Sequence, residues 1–184
     1  GRKRKYALGK TSGKANIKNN LDELGIKLSD KELKMVTSKV IELGDKKERV
    51  TIEDLPYIIN DVLDYPEKNK KVIIDSYVLT SAKTLKPSTA LSMIIENKLY
   101  QETASGDGQF DAFMNALKSI YKSIGLKLPK LIDYSVRIPP GSDSDALCET
   151  TITWNSGKKK FKTRGLDSDQ TVAAIKATEK MLNI

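Results

Sequence analysis

The feature that most constrains the fold of this chain is an internal repeat in its second part. Two segments, about residues 71–125 and 130–184, each contain three strand-like runs followed by one helix-like run. Equivalent positions recur about 58 residues apart, so that Gly106 of the first segment corresponds to Gly165 of the second. A repeat at a fixed spacing indicates two copies of one supersecondary unit, which predicts a tandem βββα–βββα domain.

The residue types within each segment support this assignment. The first contains the runs VIIDSYVLTSA, ALSMIIENK and KLYQETAS, which carry the β-branched and aromatic residues typical of strands. Their counterparts in the second are LIDYSVRI, ALCETTITWNSG and KKKFKTRG, and each set is followed by apolar residues at helical spacing. A three-stranded sheet with one helix leaves a face uncovered, so two copies can close on each other and share a core.

The first 66 residues have the pattern of a small helical subdomain. The clearest helix follows a capping box of Ser29 and Glu32. Its apolar stripe consists of Leu33, Val36, Val40 and Leu43. A later helix fits Pro56 only if that proline lies in the first turn. The sequence therefore predicts an α+β protein, with a helical subdomain over 1–66 and a tandem βββα–βββα domain over 71–184.

Composition excludes several kinds of chemistry. The chain contains no histidine, which rules out a histidine base or zinc ligand, and its one cysteine, Cys148, cannot form an internal disulfide. A single cysteine fits a reducing cytoplasm. No apolar run approaches the length of a membrane span, so no membrane partner is expected. The chain begins with GRKRKYALGK rather than methionine, and we interpret it as a piece of a longer protein.

The net charge of +8 raises the alternative of a basic RNA-binding module. Basic runs occur at Arg2–Lys5 and at Lys158–Lys160, but such runs are more often solvated surface than a nucleic-acid footprint. The three phenylalanines, one tryptophan and seven tyrosines are not interleaved with the basic residues as stacking surfaces for bases would be. We therefore expect no nucleic-acid partner.

The turn Gly106-Asp107-Gly108 precedes a predicted helix and is a candidate anion site. Glycine lets a ligand approach the backbone and permits a positive φ, and unpaired N–H groups at a helix start can receive an anion. The ligand could be a phosphate, a nucleic-acid backbone or a small carboxylate, or the glycines could simply form a strand-to-helix turn. A catalytic carboxylate pair is the other alternative, but acidic residues at helix starts more often serve as caps. The candidates for that pair are Asp107, Asp111, Asp167 and Asp169.

Three motifs, in this order, carry a resemblance to a known family: ASGDGQFDAF, LIDYSVRI and TRGLDSDQTVAAIKATEKMLN. With the repeat, they resemble the C-terminal part of the 2-isopropylmalate synthase and citramalate synthase family. The resemblance implies that 1–66 is a helical linker and 71–184 a regulatory, dimerising domain. Family members condense acetyl-CoA with a 2-oxo acid on a divalent metal held in a TIM barrel. It therefore implies no catalytic residue, metal or cofactor in this chain, and a metal-containing barrel elsewhere in the same polypeptide.

The resemblance also implies that leucine or isoleucine binds as a feedback inhibitor at a homodimer interface. The residues expected to contact the effector are Gly106, Asp107, Gly108, Phe110, Leu131, Tyr134, Ile138, Ser144, Ala146, Ser168 and Gln170. Strict alternation puts Tyr134 and Ile138 on one face of their strand, so Leu131 is expected just before the strand proper. Plain core packing is the alternative for Tyr134 and Ile138. Alanine at Gly106 or Gly108 is expected to weaken effector binding while the domain stays folded.

Overall fold

A computed structural model describes residues 8, 13–45, 50–63, 70–138, 146–157 and 159–184. Within these ranges the chain forms five α-helices and six strands. The helices are α1 (Lys14–Glu23), α2 (Asp30–Asp45), α3 (Leu55–Leu63), α4 (Gln109–Ser123) and α5 (Gln170–Leu182). The strands are β1 (Val72–Thr80), β2 (Ser88–Ile95), β3 (Lys98–Ser105), β4 (Lys130–Arg137), β5 (Cys148–Asn155) and β6 (Lys160–Asp167). No helix in the described part of the chain is long and apolar enough to cross a bilayer.

The predicted α+β class and the tandem βββα order are confirmed. The strands form two three-stranded sheets, in the orders β1-β2-β3 and β4-β5-β6, with α4 following the first sheet and α5 the second. The predicted contact residue Ser144 lies outside the described residues, as do the basic run Arg2–Lys5 and Lys158.

The described residues divide into two compact units. The helical unit comprises the described parts of Gly1–Pro66, Val136–Glu149 and Leu166–Gln170, and the sheet unit comprises those of Glu67–Ser135, Thr150–Gly165 and Thr171–Ile184. Both units therefore contain residues from the second repeat.

The core of the helical unit contains the predicted apolar stripe. The stripe of α2 is buried at all four positions, Leu33, Val36, Val40 and Leu43. Leu147 and Leu166, from the second repeat, are buried in the same cluster. The Ser29 capping box is present, because its backbone N–H and Oγ donate to Glu32 Oε2 at 2.8 and 2.7 Å. The hydrogen bonds from the Ser29 side chain and backbone lower the pKa of Glu32. Pro56 lies in the first turn of α3, the position that it requires.

The sheet unit contains the first sheet, whose inner face packs against α4. The three strands are antiparallel, and β1 has a bulge between Ile74 and Ser76. The extra residue keeps Ile74 and Tyr77 on the same face, the one that also carries the buried Leu91 and Met93. Without the bulge, the second half of β1 would turn its apolar residues away from the core.

The two repeat glycines have the same structural role. A Cβ on Gly106 would overlap with the amide nitrogen of Ala112 in α4, and a Cβ on Gly165 would overlap with the carbonyl oxygen of Ala173 in α5. Each glycine therefore allows the end of the third strand to approach the backbone of the helix that follows it. This shared close approach explains why glycine occurs at equivalent places in both repeats.

Candidate effector site

The Gly106-Asp107-Gly108 turn is internally bonded. The Gly106 N–H donates to the Pro87 carbonyl oxygen at 3.0 Å, and the Asp107 N–H donates to Asp111 Oδ2 at 3.0 Å. The expectation that the turn leaves its N–H groups unpaired is therefore wrong for Gly106 and Asp107. The possible positive φ is also absent: Gly108 has a φ of −143° and a ψ of 169°, which any residue adopts, and Gly106 is not among the positive-φ glycines.

The N–H groups that can receive an anion lie at the start of α4. Gly108 is the N-cap of this 15-residue helix, and no side chain caps it. The first N–H that bonds within the helix is that of Ala112, which donates to the Gly108 carbonyl. The four preceding N–H groups, of Gly108, Gln109, Phe110 and Asp111, have no intrahelical acceptor, and the helix dipole places positive potential there. A Cβ on Gly108 would contact nothing within 4 Å, so the space beside this helix start is open.

Asp107 and Asp111 have different roles. The Asp107 side chain is 91% exposed and pairs with Lys86 at 3.3 Å, so it is directed to solvent. Asp111 is directed at the turn, because its Oδ2 accepts from the Asp107 N–H and from Asn115 Nδ2 at 3.4 Å. Asn115 Nδ2 also donates to the Ser105 carbonyl at 3.0 Å. These bonds hold the turn against the first helical turns of α4.

Asp111 was missing from the residues expected to contact an effector. Sequence alone offered a signal for it, since an acidic residue at the third helical position after the N-cap is the capping-box position. In this chain that carboxylate bonds the backbone of the turn that the resemblance assigned to effector binding.

Two aromatic side chains form a wall beside the start of α4. The ring centroids of Phe110 and Tyr134 are 5.5 Å apart, with an interplanar angle of 47°. Tyr134 is 36% exposed, so it is not part of the buried core. The structure therefore brings together Phe110, Tyr134 and the Gly106–Gly108 turn, all of which belong to the sheet unit. Plain core packing, the alternative for Tyr134, does not describe a residue this exposed.

Strand β4 is unusual because its side chains are exposed on both faces. Val136 alone within β4 is half-buried. By alternation, one face carries Ile132, Tyr134 and Val136, and Ile138 follows just beyond the strand at 62% exposure. Leu131 lies within β4 and is 41% exposed, so the expectation that it precedes the strand is wrong, and alternation puts it on the face opposite Tyr134.

The remaining predicted residues lie in the helical unit. They are Ile138, Ala146, Ser168 and Gln170. Ser168 and Gln170 are exposed, and Gln170 begins α5. Asp167 and Asp169 form a local turn, in which Asp167 Oδ1 accepts from the Asp169 N–H at 3.2 Å. The structure also has a shallow depression of about 450 Å³ on the first sheet, lined by residues 76–78, 90–92 and 101–103, which includes none of the predicted contact residues.

Comparisons with known proteins agree with this architecture. Residues 49–184 match the family model of the LeuA allosteric (dimerisation) domain, and residues 1–48 match that of the homocitrate synthase post-HMGL domain-like family. A 2-isopropylmalate synthase of Aquifex aeolicus is 31% identical over 180 residues, which are 97% of this chain and 34% of the relative. A 2-isopropylmalate synthase of Carboxydothermus hydrogenoformans is 33% identical over 175 residues, which are 94% and 33%.

A third relative has a different name. The CimA protein of Archaeoglobus fulgidus, whose name marks it as a provisional (R)-citramalate synthase, is 31% identical over 184 residues, which are 100% of this chain and 37% of the relative. The chain thus spans about a third of the length of the curated relatives that it matches. None of these three names refers to nucleic acid, so the RNA-binding alternative has no support from them. The family match confirms the resemblance, and the chain belongs to the LeuA allosteric (dimerisation) domain family.

Proposed function

We propose that this chain is the regulatory part of an acetyl-CoA-dependent synthase that condenses a 2-oxo acid, of the 2-isopropylmalate or citramalate synthase type. It binds leucine or isoleucine as a feedback inhibitor in the biosynthesis of branched-chain amino acids. The observation that carries the proposal is the wall of Phe110 and Tyr134 beside the start of α4, in a chain of the allosteric-domain family.

An apolar amino acid suits this site because its two ends need different surroundings. Its carboxylate can accept hydrogen bonds from the N–H groups at the start of α4, where the dipole favours a negative charge. Its side chain can cover the exposed part of Tyr134 and the neighbouring ring of Phe110. Asp111 supplies a carboxylate beside the same turn, suited to the ammonium group. Ile138, Ala146, Ser168 and Gln170 remain predicted contacts.

The rest of the proposal concerns the whole protein. Because the chain corresponds to about a third of its relatives' length, we place the condensing activity in a TIM barrel of the same polypeptide, with its own divalent metal. This chain alone then has no condensing activity and needs no cofactor. We propose that the intact protein works in the cytoplasm as a homodimer, and that the effector binds at the interface between the regulatory domains.

The effector site can be tested by thermal unfolding of this chain with leucine, isoleucine, valine or lysine. A ligand that binds only the folded state raises the melting temperature, so leucine or isoleucine should raise it and lysine should not. Tyr134→Ala removes roughly 50 Å² of apolar contact at about 25 cal/mol per Å², which weakens binding roughly tenfold by calorimetry. Tyr134→Phe is the matched control, since it keeps the ring and should keep most of the affinity.

Failure of all four amino acids to change the melting temperature would contradict the proposed function. Equal affinity of Tyr134→Ala and the unmutated chain would instead move the site away from this wall.

The dimer is expected to use β4. This edge strand is exposed on both faces and carries apolar residues, a combination that promotes pairing with another chain. We expect sedimentation of the chain to show a dimer, and Ile132→Asp to shift it towards monomer, because a buried unpaired carboxylate opposes association. Leu85→Asp is the control, since Leu85 is a 72% exposed apolar residue outside β4. A chain that stays monomeric at high concentration, with and without amino acid, would refute this prediction.

A further inference from the structure

Four aromatic rings form a continuous row through the sheet unit. Tyr134 of β4 contacts Phe110 at 5.5 Å, Phe110 stacks on Phe113 at 6.2 Å with an angle of 17°, and Phe113 meets the edge of Tyr77 at 6.4 Å. Phe110 and Phe113 belong to α4, and Tyr77 belongs to β1. The row therefore connects the proposed effector wall with the first strand of the repeat domain.

Two side chains at the C-terminal end of α5 hold the beginning of that strand: Glu179 within the helix, and Asn183 directly after its last residue. Asn183 Oδ1 accepts from the N–H groups of Lys71 and Val72 at 2.8 and 3.1 Å, and its Nδ2 donates to the Val72 carbonyl at 2.8 Å. Glu179 Oε1 accepts from the Ile74 N–H at 3.2 Å. We call these contacts the α5 clasp. Because β1 is an edge strand of its sheet, the clasp bonds backbone groups that have no neighbouring strand on that side.

The ring row and the clasp meet in β1, on either side of its bulge. The clasp bonds residues up to Ile74, the bulge lies between Ile74 and Ser76, and Tyr77 follows it. A bulge is a point at which a strand bends and changes its twist. A displacement of the Tyr77 ring can therefore change the direction of β1 at the clasped end without disrupting the sheet.

Packing makes the row suitable for transmitting such a displacement. Phe113 is fully buried and Phe110 is stacked almost parallel to it. In a close-packed interior, a ring that moves must be accommodated by its neighbours, since there is no free volume to absorb the change. An effector seated against Phe110 and Tyr134 therefore acts on Phe113 and, through it, on Tyr77.

We propose that Phe113 and Tyr77 are positioning residues that couple the effector wall to the clasped end of β1. The regulatory part of this inference rests on the proposed function, since it takes Phe110 and Tyr134 as the effector wall. The coupling itself does not require the identity of the effector. In this arrangement, binding of an effector changes the stability of the hydrogen bonds of the α5 clasp at the beginning of the repeat domain.

The rate of amide hydrogen exchange at Val72 and Ile74 reports on the clasp directly, because the clasp bonds these two N–H groups. A double-mutant cycle of Tyr134 and Tyr77 measures the coupling without a ligand. Tyr134→Ala should change exchange at these two amides by about fivefold or more in the unmutated background. In the Tyr77→Leu background the same substitution should leave their exchange almost unchanged. Tyr77→Phe restores the ring and should restore the effect. Leu79→Ala is the matched control, because Leu79 also packs against this core from β1 but lies outside the ring row.

Phe113→Leu interrupts the row at a second ring. It replaces Tyr77→Leu in the cycle if Tyr77→Leu fails to fold. An equal effect of Tyr134→Ala with and without the Tyr77 ring would overturn the coupling, as would no effect at Val72 and Ile74 in the unmutated background. Added leucine or isoleucine should slow exchange at the same amides only when the ring row is intact. If neither amino acid binds, the proposed function fails, and the ligand-free cycle still decides the coupling.

Discussion

Gly106→Ala is expected to destabilise the domain severely, whereas Gly108→Ala should leave it folded. A methyl group on Gly106 would overlap with the amide nitrogen of Ala112 and lie 2.7 Å from Asp111 Oδ2. Backbone cannot yield as a flexible side chain can, so the end of β3 would have to separate from α4. Overpacking of this kind costs about 1–3 kcal/mol or more. Gly108 has open space at the corresponding position and an extended backbone, so alanine fits there.

Denaturant unfolding, followed by circular dichroism, measures the difference between the two alanine variants. A free energy of unfolding for Gly106→Ala within about 0.5 kcal/mol of the unmutated chain, the range of neutral surface changes, would contradict this account. Gly108→Ala is therefore the variant that tests effector binding without unfolding the domain. Its methyl group enters the space beside the α4 N–H groups. Leucine and isoleucine affinities unchanged by Gly108→Ala would mean that the turn has only a structural role.

The overlap at Gly106 argues against the expectation, drawn from the sequence, that alanine at this position leaves the domain folded. Both glycines were expected to tolerate alanine, because a Gly-x-Gly motif gives no information on which glycine faces a ligand and which faces the protein. The distance that matters joins Gly106 to the backbone of Ala112, six residues later. It depends on how closely the strand packs on the helix, and this is a tertiary property. The repeat itself held a hint, since Gly165 occupies the equivalent place without a second glycine two residues on.

The fold was predictable wherever periodicity decides the structure. The stripe Leu33, Val36, Val40 and Leu43 and the Ser29 capping box follow from local rules, and the structure contains both. The βββα order of the elements along the chain followed from the repeat, because two copies of one unit must satisfy the same packing problem. The burial of Leu147 and Leu166 with the helices did not follow. Alternation assigns a residue to a face of a sheet, but it cannot say which element covers that face.

The candidate site was predictable in its parts and not in its assembly. The resemblance selected Phe110 and Tyr134, but the 5.5 Å contact between their rings is a long-range contact that no local pattern encodes. The exposure of β4 could not be predicted either, because alternating apolar residues in a single chain normally indicate a strand face that packs on the core. Asp111 was not among the predicted contact residues, because the sequence suggested it only as a member of an acidic pair. In the structure its carboxylate accepts a hydrogen bond from the turn that precedes it.

Trp154→Ala is expected to lower the free energy of unfolding by about 3–5 kcal/mol, the range measured for large aromatic residues in cores. Trp154 is fully buried in the core of the sheet unit, with Ile152, Ala174 and Met181 in the same cluster. Its Nε1 donates to Thr163 Oγ1 at 2.7 Å, and Thr163 is also fully buried. The substitution therefore opens a cavity and leaves a buried hydroxyl without this donor. The total free energy of unfolding of a native domain is about 5–15 kcal/mol. A loss of this size should therefore leave much of the chain unfolded at moderate temperature.

Thr163→Val separates the two contributions, because it keeps the shape of the core and removes only the acceptor. The indole N–H is then buried without this partner, at a cost of about 1–3 kcal/mol, so Thr163→Val should be clearly less destabilised than Trp154→Ala. Trp154 is the single tryptophan of the chain, so unfolding of Trp154→Ala must be followed by circular dichroism, while Thr163→Val can also be followed by fluorescence. Equal losses for the two variants would mean that the hydrogen bond, and not the volume of the indole, dominates at this position. A loss below about 1 kcal/mol for Trp154→Ala would mean that the core around β5 collapses onto the cavity, which close packing opposes.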